Sequence, residues 1–390
     1  MAKAFDVVII GGGVMGSSTA YHLLAGGLRQ RVAVIEKDPV YERASTTLSV
    51  GGVRRQFTTP ANIELALYGI DFYQRFGAVM AVDGEAPDVS FRRRGYLFLA
   101  ESHQWPAYER RQALWRRMGV EVHLLGPHDV ARLLPGADLT GVVGGSFSPG
   151  DGFVDPYSVM QGFARKARSL GARYVHDEVT AVLTGGGAVR GVATRSGEEY
   201  AAPVVVNAAG PWAGEVACMA GVDLPVRPVR HQVFAVKCDW PGDAVIPMVI
   251  DSAGEYFRQE TGGLLVTGRT NEAEPEGVNF QVDREYFVNE VWTRLAARVP
   301  ALERLRLERG WAGLYEINRL DNNAVIGAHP GLVGFCFING FSGHGLMQGP
   351  GAGLALAEII HWGRPKTIDV RPLGYERILA GRPVLEEAFI

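Results

Sequence analysis

The chain has 390 residues, 47% of them hydrophobic and 21% charged, with a formal net charge of -3. That length supplies a large core and leaves room for two domains, and the near-neutral balance excludes the basic footprint of a nucleic-acid or anionic-membrane binder. The three cysteines, Cys218, Cys238 and Cys336, lie far apart with no CxxC or metal-like spacing, which predicts free thiols, no metal site and a reducing, cytoplasmic setting.

The run "FDVVII" (5–10) reads as a short buried strand of a parallel sheet. Its early start leaves no room for a cleavable targeting segment. "GGGVMGSSTAYHLLAGG" follows as a tight turn entering a helix, and Gly11, Gly13 and Gly16 fit G-x-G-x-x-G in the strand–turn–helix context that a dinucleotide site requires. The first glycine makes the turn, the second admits a pyrophosphate, and the third lets helix pack on strand. Val14 and Met15 then open a helix whose N–H groups face the phosphates. A second strand, "RVAVIEK", ends in Glu36 and Lys37. A carboxylate at Glu36 can accept hydrogen bonds from an adenosine ribose.

Where a nicotinamide-dependent enzyme continues with further βαβ units, this chain has "ERASTTLSVGGVRRQF" (42–57), rich in small hydroxyl residues and glycine and ending in paired arginines. Residues 172–210 show short strands with turn signals, Gly185–Gly187 forming a hairpin turn, closed by the buried run "VVVNAAG". One dinucleotide site is found. The uncharged stretch from Ile326 to Ala357 is broken by glycines, prolines and histidines, so it lacks the sustained apolarity of a membrane span.

Four segments in order, Gly11–Gly16 with Glu36, "STTLSVGGVRRQF", "VVNAAGPWAGEV" and "GFSGHGLMQGPGAG", together resemble the D-amino-acid-oxidase-like family of FAD-dependent oxidoreductases over nearly the whole chain. The last segment is similar to the sarcosine oxidase and dimethylglycine dehydrogenase branch. The resemblance implies an α/β fold: a glutathione-reductase-like FAD-binding Rossmann domain from discontinuous segments (1–80, 145–215 and 325–390), and an α+β substrate domain with an antiparallel sheet (81–144 and 216–324). "RRRGYLFLA", "HQVFAVKC" and "GGLLVTGR" alternate as strands of that sheet would.

The resemblance also implies site residues. Ser45, Thr46 and Thr47 would give hydroxyls to the pyrophosphate and ribityl chain, with Gly51 and Gly52 in the same segment. Val179 would meet adenine through its backbone, and Ala209, Gly210, Trp212, Gly313 and Leu314 complete the wall. Gly343, His344, Gly345, Leu346 and Met347 would stand beside the flavin ring. There, a helix starting near His344 would present about half a positive charge to the reduced flavin. His344 and Met347 are thus cofactor neighbours at the reacting end, Arg54 is the expected carboxylate anchor, and Tyr256 the expected lining of the substrate face.

Several departures from relatives carry weight. The cysteine that tethers flavin in monomeric sarcosine oxidase is Gly313 here, so FAD is expected to be held without a covalent bond. The carboxylate arginine of glycine oxidases is Tyr315, which leaves Arg54. The lysine that activates oxygen falls at Val266–Thr267 and a second family lysine at Met347, with Arg258 or Arg269 as substitute cations. The expected activity is FAD-dependent oxidation of the C–N bond of a small secondary or tertiary amino acid (sarcosine, dimethylglycine or proline type) to an imine. The expected acceptor is a partner protein or quinone rather than oxygen. The alternatives are a 2-hydroxy acid, amino-sugar or D-amino acid oxidoreductase of the same fold, or a flavin-bearing assembly factor without catalysis.

Overall fold

A computed structural model describes residues 3–27, 30–240 and 244–387; the extremes of the expected first and last segments, residues 1–2 and 388–390, lie outside the described residues. The wholly buried strand Val7–Ile10 lies inside a six-stranded sheet. It pairs in parallel with Val32–Glu36 on one side and Val204–Asn207 on the other. Arg173–His176 and Phe335–Asn339 extend the parallel set, and Val325–Ala328 closes it as an antiparallel edge. Helices bury the faces of such a sheet, which is why its central strands are nearly pure valine and isoleucine.

Two helices pack on each other beside this sheet, and their glycines explain how closely they do so. Val14–Ala25 starts after Gly13, and Gly345–Trp362 starts after His344. Ser18 Oγ donates to the Gly349 carbonyl at 2.9 Å, and a Cβ at Gly353 would collide with Ser18. Gly345, Gly349 and Gly353 of "GLMQGPGAG" face the nucleotide-turn helix, whereas Gly351 faces Leu65 and Ile368.

Residues 179–201 form a three-stranded meander turned by Gly186 and Gly187, both at positive φ, and Lys3–Ala4 adds to its edge. The second large sheet has eight strands, in the order Arg306–Asn318, Val226–Lys237, Leu264–Arg269, Glu255–Gln259, Met248–Ile250, Tyr96–Glu101, Val142–Ser148 and His123–Leu125. It is antiparallel except where Met248–Ile250 runs parallel to Tyr96–Phe98. Its strand Val142–Ser148 crosses residue 145, where the sequence placed a domain boundary. The long pair 226–237 with 306–318 sets His231 opposite Gly313. A short ribbon, Gly52–Val53 with Gly152–Phe153, carries the chain into Arg54. Among the described residues, no helix is long and apolar enough to cross a membrane, and no group of His, Cys, Asp and Glu is placed to hold a metal.

Candidate functional site: a cavity joining the two sheets

A cavity of about 690 Å³ has walls from both large sheets. At one end is the turn after the first strand. Gly11 has φ +101, and a Cβ there would run into the Ala208 carbonyl oxygen. No side chain at Gly13 caps the helix that follows, and the Val14 N–H meets Thr46 Oγ1 at 3.3 Å. Gly11, Gly13, Val14 and Met15 all line the cavity.

Glu36 lines it too, pinned by the N–H groups of Gly12 to Oε2 at 2.7 Å and Asp38 to Oε1 at 2.8 Å. Two backbone donors leave lone pairs on each oxygen for ribose hydroxyls. The Lys37 ammonium stands 3.6 Å over the Trp212 ring, a cation–π contact that stiffens this end. Val179, Ala209, Gly210 and Trp212 complete it. Along the middle, Ser45 Oγ donates to the Leu314 carbonyl at 2.6 Å, and Thr46, Gly52, Gly313 and Leu314 are in the wall.

Three residues expected at the cofactor stand off the wall. Gly16 is there for packing, since a Cβ would strike the Gly11 carbonyl. Thr47 follows Thr46 but is not part of the wall, and its Oγ1 is buried without a partner among the described residues. Gly51, at φ +80, lets the loop pass against the Val154 carbonyl.

At the other end, Arg54 is 1% exposed and still lines the cavity. Its Nη1 donates to the Gln56 carbonyl at 2.6 Å, its Nη2 lies 3.3 Å from His344 Nε2, and its guanidinium covers the Phe57 ring at 4.2 Å. Arginine only donates, so His344 accepts through Nε2. Burial and then Arg54 hold the His344 proton affinity well below the usual histidine range, so the ring is neutral. His344 ends the loop before helix Gly345–Trp362, and Gly343 to Met347 all line the cavity. Gly343, at φ +94, leaves room for Tyr315: a Cβ would stand 2.7 Å from Tyr315 Cε2. Arg55, next to Arg54, points away and is tied to the fully buried Asp151 at 2.6 Å.

Tyr256 lines the cavity and its hydroxyl lies 3.1 Å from His231 Nε2. His231 stacks between Tyr256 (centroids 5.8 Å) and Tyr315 (4.4 Å, 6° between planes). Burial pushes His231 down to about 4 and raises Tyr256 well above the usual phenol range, so both are neutral at pH 7. Sequence reasoning missed His231, Tyr96 and Glu316 as cavity residues and read Tyr315 only as a lost arginine. His231 and Glu316 are polar residues inside buried strands, and that was their one visible signal.

The substitute cations are engaged elsewhere. Arg258 pairs with Glu260 at 2.7 Å and Arg269 with Glu255 at 3.3 Å, and neither lines the cavity. Val266 and Thr267 are buried in their strand, Thr267 Oγ1 donating to the Tyr256 carbonyl at 2.8 Å. Lys37, at the far end, is the cavity's lysine among the described residues.

FAD fits these residues. A Cβ-free turn and a helix start that Gly13 leaves without a side-chain cap suit a diphosphate, Glu36 suits a ribose, and the volume continues past Gly343–Met347 to the aromatic residues beside Arg54. Comparisons with known proteins agree. The chain is 36% identical to bovine (Bos taurus) "FAD-dependent oxidoreductase domain-containing protein 1", over 99% of this chain and 87% of that one. It is 31% identical to human (Homo sapiens) mitochondrial sarcosine dehydrogenase over 93% of this chain, although the match spans 40% of that longer protein. The solved structure of L-proline dehydrogenase from P. horikoshii superposes with a TM-score of 0.89 at 29% identity, covering 98% of this chain and 100% of that one. The family model described as DAO, FAD dependent oxidoreductase, matches residues 6–359, and the chain belongs to this family of FAD-dependent oxidoreductases.

Proposed function

We propose that the protein oxidises the C–N bond of a small secondary or tertiary amino acid, of sarcosine, dimethylglycine or proline type, to an imine that water then hydrolyses. The observation carrying this reading is the one continuous cavity that joins the dinucleotide turn to Arg54, His231 and Tyr256. The names of the similar sarcosine and L-proline dehydrogenases support the same class of substrate.

Bound FAD, held by Gly11–Met15, Glu36, Ser45–Thr46 and Gly343–Met347 without a covalent bond, supplies the two-electron acceptor. Arg54 binds the substrate carboxylate through its guanidinium, and a buried charge-assisted contact of this kind fixes orientation as well as affinity. His344, accepting from Nη2, and the Gln56 carbonyl, accepting from Nη1, hold that guanidinium in place. The amino acid binds as its neutral amine, its proton left to bulk water, because the buried His231–Tyr256 pair carries no charge at pH 7; that form keeps the nitrogen lone pair that C–N oxidation needs. Tyr315 and Tyr96 wall the chamber against water.

The test is anaerobic mixing of holoprotein with sarcosine, dimethylglycine, L-proline, D-amino acids and 2-hydroxy acids, following the flavin absorbance. Rapid bleaching by a secondary or tertiary amino acid is expected. Bleaching by hydroxy acids alone, or by none of the panel, rejects the reading.

A further inference from the structure

The middle of the cavity wall carries a carboxyl that neither end uses. Glu316 lies on the strand Arg306–Asn318, lines the cavity and is 9% exposed. Its Oε1 accepts from the Phe341 N–H at 3.3 Å. Its Oε2 is buried and has no hydrogen-bond partner among the described residues. Across from Oε2 is Gly210, where a Cβ would stand 3.8 Å away. Gly210 follows Ala208–Ala209, which touch the Gly11 turn, and Phe341 leads into Gly343–Met347. Glu316 therefore sits between the diphosphate turn and the reacting end, on the stretch that the chain between flavin ring and adenosine must cross. A buried polar atom without a partner costs free energy and calls for one.

We propose that Glu316 is a cofactor-binding residue whose Oε2 grips an oxygen of the ribityl–diphosphate chain of FAD as a hydrogen-bond donor. To donate, the carboxyl must keep its proton. Burial already pushes its proton affinity up to about 7, opposed by the backbone N–H groups of Gly340 and Phe341. Charged groups on neighbouring elements are committed elsewhere: Arg230 to Glu274 at 2.6 Å, Arg227 to the carbonyls of Leu224 and Val226, and Lys37 to the Trp212 ring. Glu215, also in the wall, is another acid. The two phosphate charges of FAD and the water it displaces disfavour a further negative charge there. Protonated Glu316 is thus the binding form, and loading FAD above neutral pH takes up a proton. Affinity is constant below about pH 7 and falls as pH rises beyond it.

The test is the Kd of FAD for apoprotein, read by quenching of flavin fluorescence from pH 6 to pH 8.5, with the apoprotein melting temperature reporting folding. Wild-type protein is expected to weaken about tenfold per pH unit above pH 7. Glu316→Gln, whose amide donates at every pH, holds the low-pH affinity throughout. Glu316→Ala binds about tenfold more weakly at pH 6, a hydrogen bond lost. A wild-type Kd that is flat or tightens with pH overturns the proposal and needs no variant to fold. A Gln variant as weak as Ala at pH 6, or an Ala variant as tight as wild type, overturns it equally.

Discussion

Replacing Arg54 and Arg55 one at a time separates substrate binding from scaffold. Arg54 lines the chamber, whereas Arg55 faces Asp151, whose side chain is 0% exposed. Arg54→Ala removes a desolvated partner of the substrate carboxylate, a loss of about 2–5 kcal/mol. At about 1.4 kcal/mol per tenfold, the half-saturating amino acid concentration is expected to rise from about 30-fold to several thousand-fold. The variant also loses the 2.6 Å bond to the Gln56 carbonyl and the Phe57 stack, so it is expected to melt somewhat earlier while keeping its FAD. Arg55→Ala strands the buried Asp151 carboxylate, costing about 3–5 kcal/mol of stability, with the KM of the surviving holoprotein unchanged. The assay pairs steady-state kinetics at known FAD content with thermal melts. Loss of FAD in Arg54→Ala with an unchanged KM in the remaining holoprotein refutes the assignment and makes Arg54 a brace of its loop.

Three further outcomes are expected. With Gly313 at the position where the resemblance to monomeric sarcosine oxidase would place a tethering cysteine, acid precipitation releases all the yellow colour to the supernatant; colour retained on the denatured chain refutes non-covalent binding. Tyr256→Phe deletes the hydroxyl 3.1 Å from His231 Nε2 and lowers kcat/KM by about tenfold, a hydrogen bond lost at the substrate face, at unchanged FAD affinity; a silent substitution removes Tyr256 from the substrate face. Reduced flavin reoxidises slowly in air-saturated buffer and quickly with a dye or quinone in stopped flow. No lysine stands at the substrate end, Arg258 and Arg269 are held by glutamates, and the chamber's Arg54 is taken up by the carboxylate, whereas a fixed, unneutralised cation is what favours charge development on oxygen. Reoxidation by oxygen as fast as turnover makes the protein an oxidase.

The nucleotide end was legible because its parts are local. Strand, glycine turn, helix and Glu36 form one contiguous unit in which spacing alone brings Gly11–Met15 and Glu36 to one cavity wall. The run from Gly343 was legible only through the family resemblance, and that Gly349 and Gly353 seat its helix against Val14–Ala25 shows only in the packing. The loop 45–52 was legible only in part. Composition marked it, but adjacent residues in a turn point in different directions, and Thr46 took the wall while Thr47 did not. The substrate end resisted most. His231 meets Tyr315 because two long strands pair with His231 opposite Gly313, and no local pattern in "HQVFAVKC" encodes that register. The strand Val142–Ser148 likewise crosses the expected boundary at 145 because pairing with Tyr96–Glu101, not composition, fixes its sheet.

The contact between Arg54 and His344 ties the two halves of the site together. His344 is the residue from which helix Gly345–Trp362 starts, so its position follows that helix, which in turn is pressed against the nucleotide-turn helix through Gly349 and Gly353. The Nε2 of the same histidine accepts from the guanidinium. The place of the proposed substrate anchor is thereby set by the two helices that start at the cavity wall, so Arg54 and Gly343–Met347 share one frame. Protonating His344 would turn its acceptor into a donor facing another donor, a like-charge contact in a buried site. Burial and Arg54 both act against that charge, and the neutral ring is what lets the two arms of the site remain in register.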